Sequence, residues 1–123
     1  MKKAVLAFLG LMLAASSAAS QAVPATPQDR QTCKAAYDTS RLYVNDAGAF
    51  MWRVHAKGLV DYDAYNRWQN ELVLYTRAYI SKIRNKSYTG EGWECQRITE
   101  QVQNITDNVL LQFMRNNGLN FGN

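Results

Sequence analysis

Histidine occurs once in these 123 residues, cysteine twice and proline twice, and each scarcity closes off a class of chemistry. His55 is the one imidazole a serine, histidine and acid set could use, and the sequence shows no such arrangement around it. A metal site would need His55 together with carboxylates such as Asp61 and Asp63. Met51 precedes His55 by one helical turn, but axial haem ligands approach from opposite faces, and there is no Cys-x-x-Cys-His attachment sequence. No cofactor and no metal is therefore expected. Cys33 and Cys95 stand far apart in sequence, so they read as a structural bridge and not as a redox pair. Both prolines precede Gln28, which leaves nothing beyond Pro27 to break a helix by the loss of its N–H. Low-complexity tracts and internal repeats are lacking too, so one domain with one modest core is expected.

No apolar run is long enough for a bilayer. The run from Ala4 to Ala15 falls short of the roughly 20 residues a spanning helix takes. It follows Lys2 and Lys3 and precedes small residues from Ser16 to Ala22, the three-part layout of a secretory signal peptide of bacterial type. Residues 1–22 are read as that leader, cleaved after Ala22 with Ala19 as the second choice, and residues 23–123 as the mature domain, destined for the periplasm. No cysteine follows the apolar run closely, so neither a lipid nor a membrane anchor is expected. Losing Lys2 and Lys3 takes the formal charge from +4 to +2, twelve basic residues against ten acidic. Export and so small a charge argue against a nucleic-acid partner.

What is present is helical periodicity. Between Asp61 and Lys86, residues Tyr65, Trp68, Leu72, Tyr75, Tyr79 and Ile83 recur at steps of three and four and define an apolar stripe. Upstream, Thr26, Pro27 and Asp29 make a helix start, and Cys33, Tyr37, Ser40, Val44, Ala47, Met51 and Val54 keep one phase to about Lys57. Ser40, the one hydroxyl on this stripe, is expected to bond within its own helix. Gly58 is a left-handed terminator, and Asp61 caps the next helix with Val60 and Tyr65 as a hydrophobic staple. Thr89, Gly90 and Gly92 mark a turn, after which Cys95, Ile98, Val102, Ile105, Val109 and Phe113 form the third stripe, ended by Gly118.

The pattern predicts an all-α, up-down three-helix bundle, or four helices if the first breaks near Gly48. In that topology Cys33 and Cys95 lie at the same end, and a bridge between them would stabilise the fold by roughly 4 kcal/mol through loop closure.

Candidate contact residues come from what the stripes leave over. Arg67, Leu74, Arg77 and Arg84, with Asn66, Asn70 and Asn85 nearby, form a basic and amide-rich strip suited to carboxylates on an acidic partner, and a solubilising face as well. Trp52 and Phe50 flank the first stripe on opposite sides, which implies either a wider core or a contact surface. The leading reading is an exported, non-enzymatic protein that binds another macromolecule, a protein, through its surface, in the manner of an inhibitor or immunity protein. Two alternatives are kept. One is a small hydrolase or lyase using paired carboxylates, Asp61 with Asp63 or Glu91 with Glu94. The other is a subunit of an envelope assembly that buries the flank near Trp52.

Overall fold

The computed structural model describes residues 25–89 and 91–119, with 87–89 as helix backbone only. The expected leader, residues 1–22, lies outside the described residues, as do Gly90 and the last four residues. Among the described residues three helices make the architecture: α1 (Pro27–Ala56), α2 (Tyr62–Thr89) and α3 (Gly92–Asn116). Each packs against both of the others, so the bundle is closed. At 1.5 Å per residue the 30 residues of α1 make a rod about 45 Å long. That rod runs unbroken through Gly48, which leaves three helices and not four.

Local chemistry sets the helix ends. Thr26 accepts the Asp29 N–H at 3.0 Å while the Asp29 carboxylate accepts the Thr26 N–H at 3.2 Å, a reciprocal cap with proline in the first turn. Asp61 accepts the Ala64 N–H at 2.8 Å, and Glu94 accepts the Glu91 N–H at 3.1 Å, so both later helices also start on a carboxylate. At the far end of α1, Gly58 adopts φ +80°. There the Gly58 N–H reaches the His55 carbonyl at 2.8 Å and the Leu59 N–H reaches that of Val54 at 3.2 Å, the paired bonds of a Schellman turn. The chain reverses into α2 directly afterwards, and Val60 and Tyr65 pack into the core beneath the turn.

Where α3 begins, it meets the start of α1. Cys33 and Cys95 form a disulfide across a Cα–Cα distance of 5.1 Å. The Gly92 N–H donates to Asp29 at 2.9 Å. A Cβ on Gly92 would sit 2.9 Å from the Thr32 side chain, so this close approach requires glycine.

Two apolar clusters fill the interior. One, near the α1–α2 turn, gathers Met51, Val54, Val60, Ala64, Trp68, Leu72 and Val109; the other surrounds the disulfide with Ala36, Ile83 and Ile98. Buried hydroxyls accompany them: Ser40, Thr76, Thr99 and Thr106. Thr76 and Thr106 donate to their own helices, at the carbonyls of Leu72 (2.7 Å) and Val102 (2.8 Å). Ser40 does not follow the expectation, because its hydroxyl reaches across to Thr99 on α3 at 3.1 Å. A second difference concerns Tyr75, which the stripe reading placed inside and which is 49 % exposed. Steps of four from Ala64 through Trp68 and Leu72 arrive at Thr76, which is buried with its hydroxyl satisfied, and Tyr75 is turned outward.

Candidate functional site

The face between α1 and α2 carries an open groove in two joined segments. The larger, about 330 Å³, is lined by Val44, Asn45, Gly48, Ala49, Trp52, Tyr65, Gln69, Leu72 and Val73. The smaller, about 220 Å³, shares Val44, Asn45 and Val73 with it and continues to Arg41, Arg77 and Ser81. One end is thus aromatic and the other basic, and among the described residues no Asp or Glu lines either segment.

Helix phase explains this lining. On α1, Arg41, Asn45, Gly48 and Trp52 follow steps of four, three and four, one strip over from the core stripe; Gln69, Val73 and Arg77 do the same on α2 with steps of four. Trp52 stands at the mouth, 48 % exposed, and leans on neighbours: its ring centroid is 5.1 Å from His55 and 5.3 Å from Tyr65. His55 is 5.9 Å from Tyr62, so four rings cover the α1–α2 corner. The His55 Nδ1 lies 2.9 Å from the Val60 carbonyl, which accepts, so Nδ1 carries the proton and the ring is oriented by the turn.

Two details on the groove floor have no structural account in the fold itself. The Gln69 Oε1 is buried without a hydrogen-bond partner, a situation that costs about 1–3 kcal/mol. Gly48 lies opposite, in a helix interior, where glycine costs roughly 0.5–1 kcal/mol relative to alanine. Its φ is ordinary for a helix, and a Cβ would find its nearest neighbour, that same Gln69 oxygen, at 3.7 Å. Neither backbone nor packing therefore asks for glycine at this position. What its missing side chain does is widen the groove that it lines.

The residues singled out in the sequence fall in three places. Arg77 and Trp52 line the groove. Arg67 lines a different cleft, of about 360 Å³ between α2 and α3, where Glu71, Gln112 and Asn117 join it beside Trp68, whose indole N–H is buried without a partner. Leu74 lies 60 % exposed, and Arg84 is solvent-exposed yet engaged. Phe50 is half-buried against the core with Arg53 over its ring at 5.9 Å, so of the two flanking aromatics only Trp52 offers a free face. Arg41, Gly48 and Gln69 were not singled out by sequence; the adjacent strip at helical spacing is the signal that finds them.

Three of the four paired carboxylates are occupied locally, Asp63 being the exception. Asp61 caps α2, Glu91 accepts the Trp93 indole N–H at 2.6 Å, and Glu94 caps α3 and pairs with Lys86 at 3.5 Å. Among the described residues no three His, Cys, Asp or Glu side chains gather as a metal site, and no helix is long and apolar enough to cross a membrane. By architecture the molecule is a disulfide-pinned three-helix bundle. Comparison with protein families, with curated proteins and with solved structures finds no match.

Proposed function

We propose that this chain is an exported, non-enzymatic protein that binds another protein through its α1–α2 face, acting as an inhibitor or immunity protein. The observation that carries the reading is the groove, which joins a half-exposed tryptophan to a basic end that no lining carboxylate neutralises. Aromatic and arginine side chains are the residue types that anchor protein interfaces, and both are presented here on rigid helices. Support for export comes from the leader-like residues 1–22 and from the disulfide, which belongs in an oxidising compartment.

The test uses the chain expressed with its leader and recovered from the periplasm. Its mass should correspond to a start at Val23. Immobilised, it should retain a protein from the same extract that Trp52→Ala and Arg77→Glu each release, while circular dichroism of both variants stays helical. Identical recovery by wild type and both variants would remove the α1–α2 face from the interaction, and with it this reading.

A further inference from the structure

The groove's chemistry narrows the kind of occupant, given the reading above that the face binds protein. From Tyr37 to Trp52 it follows α1 for about 22 Å, which an extended chain covers in about seven residues. Over that length the two segments, about 330 and 220 Å³, have the cross-section of a single extended chain and not of a helix about 10–12 Å across. An extended chain presents N–H and C=O groups along its length, and the exposed Asn45 carboxamide, which lines both segments, can both donate to and accept from them. Gly48, one turn from Asn45 and without a side chain, keeps the groove wide where such a backbone would pass. Further along, the Arg41 and Arg77 guanidiniums call for a carboxylate. At the other end Trp52, with Tyr65 and Ala49 beside it, offers an apolar seat.

We propose that the α1–α2 groove receives an extended, acidic segment of a partner protein, its backbone bonded to the exposed Asn45 carboxamide. An apolar side chain sits beside Trp52 and an Asp or Glu between Arg41 and Arg77. Eleven residues of helix separate Trp52 from Arg41, about 16 Å, so the two anchors stand about five residues apart in the bound segment.

Random twelve-residue peptides displayed on phage and selected against the exported protein test this. Selected sequences should carry an aliphatic or aromatic residue about five positions from an Asp or Glu. A fluorescein-labelled selected peptide, followed by anisotropy, should lose at least tenfold in affinity with Arg41→Glu plus Arg77→Glu. Gly48→Ala should weaken it several-fold while raising Tm, which separates an obstructed groove from a damaged fold. Arg97→Glu, the same charge change on α3, should leave binding as it was. Selected peptides without acidic residues, binding indifferent to the double variant, or a bound peptide that is helical by circular dichroism would each overturn the proposal. So would a dimer in light scattering that the peptide dissociates, since a second copy would then be the occupant. If a partner captured from periplasm is released by Trp52→Ala yet ignores the Arg41 and Arg77 changes, this inference falls and protein binding stands. If no peptide is selected and no partner is captured, both fall.

Discussion

Asp29 is engaged on both carboxylate oxygens, by the Thr26 hydroxyl at 2.9 Å and N–H at 3.2 Å on one and by the Gly92 N–H at 2.9 Å on the other. The Gly92 bond above all, and the Thr26 bonds after it, favour the charged form and hold the pKa below the ordinary 3.8. A carboxyl depressed in the folded state contributes stability that is complete above its unfolded value and is lost as pH falls through the folded one. Thermal melts should therefore show Tm falling as pH drops below about 4, and Asp29→Ala should be less stable at pH 7 with a shallower fall below it. Tyr43 gives the opposite slope. Its hydroxyl donates to Asp107 at 2.6 Å, linking α1 to α3, and that bond, with partial burial and the carboxylate's charge, pushes its pKa above 10.0. The contribution is complete below about pH 10 and disappears as pH rises through the raised value, so Tyr43→Phe should lower Tm at neutral pH and flatten the alkaline limb. Neither tether was legible in the sequence, because each joins residues more than sixty positions apart, one through two polar side chains off the core stripes and the other through a backbone N–H.

Among the elements, α1 shows how far periodicity reads and where it stops. Its core stripe from Cys33 to Val54 was legible because every member recurs at helical spacing, and one phase carried through Gly48 predicted the continuous rod that is observed. In α2 the same stepping of three and four placed Tyr75 on the stripe and passed over Thr76, the residue that is buried. It could not register that a threonine bonded to its own Leu72 carbonyl brings little penalty when buried. The groove was half legible: Trp52 and Arg77 stood out as leftovers from the stripes, whereas pairing them needed the rotation of α1 against α2. Arg67 and Arg77, placed on one strip by the sequence reading, stand ten residues and so about 80° apart around α2, which turns one to the α3 side and the other to the α1 side. Two glycines then make contrasting predictions. Gly48→Ala, in ordinary helical geometry with room for a Cβ, should stabilise by roughly 0.5–1 kcal/mol in urea unfolding. Gly58→Ala, at φ +80°, should destabilise by about 1 kcal/mol.

At the scale of the whole molecule, the two ends of the bundle are held by different means. Around the α1–α2 turn the large side chains gather, Trp68, Met51 and Leu72 among them, and area removed from water does the holding. Around the starts of α1 and α3 the apolar cluster is small, and a disulfide, the Asp29–Gly92 bond and the tight Gly92–Thr32 contact hold it together. Closing a loop with a sequence separation of 62 is worth about 4 kcal/mol on the chain-entropy model, a large part of the 5–15 kcal/mol typical of a whole domain. Cys33→Ser with Cys95→Ser should accordingly lose about 2–5 kcal/mol in urea unfolding. Such loss should be uneven. Hydrogen exchange on the reduced protein should show protection disappearing first in the opening turns of α1 and α3, and later around Met51 and Trp68, where packing does not depend on the bridge. The aromatic end of the groove rests on that second region, so peptide binding at Trp52 should outlast the loss of the disulfide. Simultaneous exchange of both ends would instead mean that the bridge sustains the bundle as one cooperative unit.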